Sequence, residues 1–252
     1  MATEAGSTRP TVGPDVDLHD RTVVLIGGSS GIGLATATAA AAAGARVVIA
    51  GRDAQRLHDA AAMIPGVIGV EADVLDDAAL ERVFATAGVV DHLVQLAAHT
   101  SGGRIADTTD SQLRRSLDVR LWGSIGAVRH AIPRLTPGSS ITLVSGIVSV
   151  RPTAGTAVAA ASAGAVEALA RALAVELAPV RVNAVCPGAV ETPMLERALG
   201  DRYDAAVVAM GASLPVGRVG TAAEIADAIL FLATNGYITG EVLHVDGGHR
   251  LV

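Results

Sequence analysis

The stretch TVVLIGGSSGIGLATATAAAAAG, residues 22–44, joins a β-branched apolar run, a glycine-rich turn and an alanine-rich helical segment without a break. Glycine lets the backbone turn sharply and approach a pyrophosphate, and the helix that follows would offer free N–H groups and a partial positive charge. Strand, loop and helix in this order are typical of the first βα unit of a dinucleotide-binding sheet, although such a loop can also be a simple tight turn.

The same alternation of short apolar runs and helical segments continues to the end of the chain. The predicted strands are residues 22–27, 46–50, 67–70, 92–96, 140–145, 180–185 and 241–245. The predicted helices are residues 32–43, 53–62, 76–86, 110–132, 157–178 and 221–233. Nearly continuous apolar strands between helices predict one α/β domain, a doubly wound parallel sheet with helices on both faces.

Two segments fall outside this alternation. Residues 1–20 are polar and contain proline, which predicts a disordered lead-in to a domain over residues 21–252. Residues 191–220 interrupt the pattern and contain Pro193 and Pro215, so we expect a lid over a site there.

Composition excludes several classes of function. A net charge of −6 without a basic block argues against nucleic acid and anionic membrane surfaces as partners. The single cysteine, Cys186, fits a reducing compartment. The sequence shows no signal-peptide pattern and no apolar run of the roughly 18 residues that a membrane span needs. These features predict a cytoplasmic protein. No residues have the spacing of metal ligands. All 19 basic residues are arginine, so mechanisms that need a lysine ammonium group are excluded.

The second predicted strand ends in Gly51 and Arg52. A carboxylate at this point would bind the ribose 2′-hydroxyl of NAD, whereas glycine followed by arginine leaves room for a 2′-phosphate and pairs with it. The sequence therefore favours NADP(H), although Arg52 could also be a solvated residue at the start of a helix.

Together with Asp73 in EADV, VRVNAVCPGAVETP (180–193) and ITGEVLHVDGG (238–248), these motifs resemble the short-chain dehydrogenase/reductase family over residues 21–252. The resemblance implies a Rossmann-type sheet of seven strands and usually a homotetramer. It also implies a set of cofactor-binding residues: Gly27, Ser29, Ser30, Gly31, Ile32 and Gly33 at the phosphates, Asp73 and Val74 at the adenine, Ala97 at the ribose, and Pro187, Gly188, Val190 and Thr192 at the nicotinamide.

Catalysis in this family uses an asparagine, a serine, a tyrosine and a lysine, the last two in a YxxxK motif. Alignment of the chain to the family's motifs without gaps near the site puts four other residues in those places, namely Arg120, Gly146, Ala159 and Ala163. The family's NNAG segment is here Gln95 to Ala98. Because the chain has no lysine, a shifted YxxxK motif cannot restore the pattern.

Three polar residues near the altered positions are candidates to replace the lost groups. Arg120 could fill the space left at Ala163 and stabilise an oxyanion, or it could be a structural bridge. Ser145 could donate a hydrogen bond, or the residue that follows could turn it away. His99 could replace the lost acid, or it could be a solvated loop residue. Tyr203, in the predicted lid, is a weaker candidate.

Three functions remain open at this stage. The first is an atypical NADP(H)-dependent oxidoreductase that reduces a carbonyl or imine group of a small molecule. The second is a cofactor-binding protein without catalysis, an accessory subunit assembled with an active paralogue. The third is a non-redox isomerase, cyclase or lyase that reuses the cleft, which small residues at positions 146, 159 and 163 would enlarge.

Overall fold

Seven parallel strands form the central sheet of the protein, which a computed structural model describes over residues 16–99 and 103–252. The strands of this sheet are β1 (Thr22–Ile26), β2 (Arg46–Gly51), β3 (Ile68–Glu71), β4 (Val90–Gln95), β5 (Leu135–Val144), β6 (Arg181–Pro187) and β9 (Val242–Val245). Their order is β3-β2-β1-β4-β5-β6-β9, and all six neighbouring pairs are parallel. The predicted doubly wound fold is confirmed.

Helices cover both faces of this sheet. They are α1 (Gly31–Ala42), α2 (Ala54–Met63), α3 (Asp77–Ala87), α4 (Asp110–Leu117), α5 (Gly123–Ala131), α6 (Ala157–Glu176), α7 (Pro193–Leu199), α8 (Tyr203–Ser213) and α9 (Ala222–Thr234). Side chains alternate along β1, so Val24 joins a buried cluster with residues of α3, α5 and α6, while Val23 and Leu25 join a second cluster with residues of α1, α2 and α9. Two apolar layers therefore hold the sheet between them.

The long helix predicted over residues 110–132 is divided in the structure. After α4 the backbone widens into one turn of π-helix at Asp118–Trp122 and then continues as α5. A π turn inserts an extra residue into the helix and is found frequently at functional sites. Arg120 lies in this turn.

The domain begins earlier than residue 21. Residues 1–15 lie outside the described residues, but Leu18 is buried and its N–H donates to the carbonyl of Ala43 at 2.9 Å. The predicted disordered lead-in therefore does not extend to residue 20, because an apolar side chain at position 18 packs under the C-terminal end of α1.

The segment predicted as a lid contains α7 and α8. It is held at both ends by a short parallel pair of strands, β7 (Val190–Glu191) and β8 (Gly220–Thr221). Its role as a lid stays a prediction.

Helix α6 is long and apolar enough to cross a membrane by length and composition, which the sequence analysis did not expect. It packs against β5 and β6 instead, with Ala163, Val166 and Ala170 fully buried. We therefore interpret α6 as a core helix.

Stability should depend on pH through His92 in β4. Its ring Nδ1 lies 2.9 Å from the hydroxyl of Ser140 in β5, and burial lowers the pKa of His92 from 6.5 to about 4. Between about pH 6.5 and pH 4, His92 is therefore protonated in the unfolded chain but neutral in the folded protein. The free energy of unfolding should fall by on the order of 3 kcal/mol as the pH drops through this range. Urea unfolding at pH 7 and pH 4 measures this loss.

The matched variants are His92→Gln, which keeps a polar side chain without a titration, and His58→Gln on the exposed surface. His92→Gln should lose less stability than the wild-type protein between the two pH values, and His58→Gln should lose as much. Equal losses in all three proteins would contradict the assignment to His92.

Candidate functional site

The carboxyl ends of the parallel strands meet at one edge of the sheet, and a glycine cradle lies where β1 runs into α1. Gly27 has a φ of +94°, and a Cβ there would come within 3.0 Å of the backbone nitrogen of Ala97, at the end of β4. A Cβ on Gly33 would overlap the carbonyl oxygen of Gly27. Only glycine permits this close approach of α1 to the strand end, and the result is a bare backbone surface suited to a phosphate.

The first turn of α1 is left open. Ser30 occupies the N-cap position without a capping hydrogen bond from its side chain, whereas Asp53 caps α2 and Asp76 caps α3. An open helix N-terminus is an anion-binding feature, because its N–H groups and the helix dipole favour negative charge. Thr192 closes the cradle from the other side, since a Cβ on Gly31 would lie 3.3 Å from Thr192 Cβ.

Arg52 lies on the rim of an open cleft of about 790 Å³ beside β3. Its Nη1 is 3.9 Å from an oxygen of Asp73, and both side chains are partly exposed. Ser29 approaches the same strand end, because a Cβ on Gly51 would lie 3.1 Å from the Ser29 hydroxyl. The structure thus brings together Ser29, Arg52 and Asp73. Gly51, the last residue of β2 and the residue before Arg52, has no side chain that would fill the space between them.

The other residues expected at the cofactor also lie along this edge. Val74 is buried against α5, where a Cβ on Gly123 would come within 2.7 Å of its side chain. Gly188 follows β6 and lies so close to Asp246 that a Cβ would come within 2.7 Å of the Asp246 Cα. The cradle, the open helix end and these close backbone contacts fit a dinucleotide.

The three positions that the sequence analysis aligned with the family's serine, tyrosine and lysine carry no functional side chain. Gly146 follows β5, and Ala159 and Ala163 lie one turn apart on α6. Ala163 is fully buried and Ala159 nearly so. No hydroxyl or ammonium group is present at these three positions.

Arg120 approaches this region from the π turn. Its Nη1 donates to the carbonyl oxygen of Ser145 at 2.6 Å and would lie 3.6 Å from a Cβ on Gly146. The side chain is 6% exposed, its Nε has no hydrogen-bond partner, and burial lowers its pKa. The sequence predicted that Arg120 would point to the space at Ala163; its guanidinium contacts the end of β5.

Ser145 is turned away from the cleft edge. Its hydroxyl donates to the carbonyl of Val185 in β6 at 3.3 Å, and the residue is buried. This contact agrees with the alternative in which the following residue turns the hydroxyl away, and the catalytic role of Ser145 stays a prediction.

A buried polar group behind the site was missed by the sequence analysis. The hydroxyl of Ser149 donates to Glu167 of α6 at 2.6 Å and lies 3.9 Å from the sulfur of Cys186. Glu167 is 8% exposed. Its position four residues after Ala163 puts both on one face of α6, which was the signal available in the sequence.

His99 and Tyr203 are weak proton donors in this structure. Partial burial and then the charges of Arg115 and Arg52 lower the pKa of His99, so its imidazole is neutral at pH 7. Partial desolvation and then the negative charge of Glu191 raise the pKa of Tyr203, which makes its hydroxyl a poorer acid. Within the described part of the chain, neither side chain is hydrogen-bonded to Arg120.

Comparison with known proteins identifies the family. The family model described as enoyl-(acyl carrier protein) reductase matches residues 27–250. The chain belongs to the short-chain dehydrogenase/reductase family. Members of this family are oxidoreductases that use nicotinamide cofactors, typically act on small molecules and form oligomers.

Three solved structures similar to this short-chain dehydrogenase/reductase bear on its site. A small-chain dehydrogenase in complex with NADPH is 34% identical, with a TM-score of 0.79 and coverage of 92% of this chain and 99% of that one. A short-chain oxidoreductase from Pseudomonas aeruginosa PAO1, described as containing an atypical catalytic center, is 30% identical, with a TM-score of 0.86 and coverage of 92% and 98%. The MalC reductase/Diels-Alderase from Malbranchea aurantiaca is 30% identical, with a TM-score of 0.87 and coverage of 94% and 98%.

The thiol of Cys186 should be unreactive in this short-chain dehydrogenase/reductase. The residue is fully buried, and burial raises its pKa, so little of the nucleophilic thiolate forms at pH 8. Alkylation by iodoacetamide should be on the order of a hundredfold or more slower in the native protein than in the protein unfolded in urea, because it requires local opening. Mass spectrometry of the labelled cysteine checks this, and rapid labelling of the native protein would show an accessible thiol instead.

Proposed function

We propose that this protein is an NADP(H)-dependent reductase that delivers hydride to a carbonyl or imine group of a small molecule without the tyrosine proton donor of its family. The observation that carries the proposal is the open N-terminus of α1 behind the Gly27–Gly33 cradle, with Arg52 at the end of the neighbouring strand. These features fit a dinucleotide phosphate, and none depends on the altered catalytic positions.

The residues that would hold the cofactor follow the strand ends in order. Gly27, Ser29, Ser30, Gly31, Ile32 and Gly33 would bind the pyrophosphate, Arg52 the 2′-phosphate, Asp73, Val74 and Ala97 the adenosine, and Pro187, Gly188, Val190 and Thr192 the nicotinamide. The reduced nicotinamide supplies a hydride when bound. The NADPH complex of a 34% identical structure supports this choice of cofactor.

The remaining chemistry must proceed with fewer protein groups than usual. A positioned general acid is worth about 10²–10⁴-fold in rate and an oxyanion donor about 10²–10³-fold. Arg120 can stabilise negative charge but keeps its proton, so it replaces only the second of these groups. His99 and Ser145 stay weaker candidates, because one is neutral and the other donates to Val185. The substrate must therefore need little acid assistance.

A second candidate function is a cyclase or isomerase that uses the same cleft. Gly146, Ala159 and Ala163 carry small or no side chains at the positions aligned with the family's catalytic residues, which would favour a bulkier substrate there. The similarity to a chain described as both a reductase and a Diels-Alderase supports this option. A cyclase or isomerase could act with the cofactor bound.

Replacement of Arg52 tests the cofactor. Arg52→Ala should weaken NADPH binding by about 10–100-fold, because charge-assisted hydrogen bonds to a phosphate contribute about 1.5–3 kcal/mol, and should leave NADH binding unchanged. Isothermal titration with each cofactor measures both affinities. Arg129→Ala, an exposed arginine on α5, is the control and should change neither. An equal loss for NADPH and NADH would contradict a 2′-phosphate contact.

Single-turnover oxidation of bound NADPH tests the reaction. We expect the nicotinamide absorbance to decay with at least one class in a panel of carbonyl and imine compounds, at a rate above that of cofactor and compound without protein. Tight NADPH binding with no turnover in any class would contradict the reductase. Co-purification of a second family member in stoichiometric amount would then favour the accessory subunit, and product formation without NADPH oxidation would favour the cyclase.

A further inference from the structure

Arg120 carries a positive charge that the described part of the protein does not balance. More than nine-tenths of the surface of Arg120 is buried. Among the described residues, its guanidinium makes one hydrogen bond, to the Ser145 carbonyl. Its Nε is buried without a partner, and no carboxylate in residues 16–99 and 103–252 lies within 4.0 Å of it. Removal of one partner from a buried ion pair is strongly destabilising, because the other charge is left buried without compensation. A buried charge without a partner is therefore unfavourable unless another group balances it.

The position of the guanidinium indicates what could balance it. Nη1 is 3.6 Å from where a Cβ on Gly146 would lie, so the group occupies the space next to the family's serine position. Burial lowers the pKa of Arg120, and the ionisable side chain that would counter this shift is the Cys186 thiol, directly before Pro187 and Gly188 at the end of β6. Because burial raises the pKa of Cys186, that thiol is neutral and does not compensate Arg120. An anionic ligand in this region would supply the missing negative charge.

We propose that Arg120 is the oxyanion-binding residue of this site and that the substrate is a conjugated carbonyl acceptor, an enone or a quinone, whose hydride adduct is a stabilised oxyanion. The inference rests on the proposed reductase function and names its substrate class. Its basis is the unpaired buried guanidinium together with the loss of every side chain at positions 146, 159 and 163 that could donate a proton.

The reaction balances without an enzyme acid. The acceptor carbon gains a C–H bond from the hydride, the conjugated π bond breaks, and its electron pair moves to the carbonyl oxygen as an enolate or phenolate, leaving the cofactor oxidised. Arg120 pairs with that oxygen, and water supplies the proton, to the α carbon of the enolate or to the oxygen of the phenolate. A phenol ionises near pH 10 and bulk water near 16, so a phenolate is far less basic than the alkoxide of a saturated ketone and survives until release.

The same charge disfavours the other compounds that need little acid. An iminium ion is itself a cation, and a second positive charge beside a buried guanidinium that lacks a carboxylate is repelled. A saturated ketone is neutral, but its strongly basic alkoxide requires the proton that Arg120 does not release.

Matched substrates test the class. With NADPH bound, the protein should reduce cyclohexenone at the conjugated double bond and naphthoquinone to its hydroquinone, and should leave cyclohexanone and a cyclic iminium salt unreduced. Reduction of cyclohexanone as fast as cyclohexenone would overturn the assignment, and so would failure with both conjugated compounds. NADPH affinity, measured separately, distinguishes these failures from loss of the proposed function, since a protein that does not bind NADPH fails at the earlier step.

Variants test Arg120 itself. Arg120→Met, of similar length, should lower the rate of NADPH oxidation with cyclohexenone by about 10²–10³-fold with little change in KM. The rate of Arg120→Lys should lie between those of the wild-type protein and Arg120→Met. Arg129→Met is the exposed control and should match the wild-type protein. Added guanidinium should restore part of the rate in Arg120→Ala, which loss of a structural role would not allow. An unchanged rate in Arg120→Met would remove Arg120 from the reaction.

A binding measurement gives a readout independent of turnover. Para-nitrophenol, whose ionised form is coloured, mimics the oxyanion, so the wild-type protein should bind it as the phenolate and shift its ionisation to lower pH. Arg120→Met should lose this shift. Because the wild-type titration stands by itself, the test remains decisive if Arg120→Met does not fold, and binding of neutral phenol, or no binding, would overturn the oxyanion site.

Discussion

The close approach of Gly33 to the carbonyl oxygen of Gly27 is the constraint on which the cofactor half of this protein depends. It sets the point where α1 leaves β1, and it keeps side chains out of the space in front of the helix N-terminus. Because the sheet is parallel, the ends of β2, β4 and β6 lie at the same edge. A backbone contact at one turn thus keeps open the proposed phosphate site, to which the ends of the neighbouring strands would contribute Arg52, Ala97 and Gly188.

The catalytic half depends on a different kind of interaction. The family's chemistry needs functional groups on side chains, and the alignment of the sequence predicts a glycine and two alanines in their places. The π turn brings Arg120 to the end of β5, where one carbonyl satisfies one of its five N–H groups. A charge buried with so little compensation is costly, and a bound anion would reduce that cost.

These two halves separate what a short-chain dehydrogenase/reductase must keep from what it can change. Cofactor binding through backbone N–H groups and glycine contacts tolerates substitutions elsewhere in the chain. Proton transfer requires a donor, and the polar groups that remain near these positions are poor replacements. Ser145 donates to Val185, and the lowered pKa of His99 favours the neutral imidazole. Ser149 donates to Glu167. Under the proposed function, the substrates would be compounds that accept a hydride and carry the resulting charge themselves.

The sequence by itself determined the fold, the order of its elements and the residues of the cradle, because apolar periodicity and glycine spacing are local properties of the chain. It also located the substitutions at Gly146, Ala159 and Ala163 by their distance from recognisable motifs. Only the tertiary structure decided that Leu18 belongs to the core, that the helix after Asp110 contains a π turn, and that Ser145 faces β6. It also decided that Arg120 is buried with no carboxylate of residues 16–99 and 103–252 beside it. Each of these is set by contacts between segments far apart in sequence, and the balance of a buried charge depends on which groups the fold brings within a few ångströms of it.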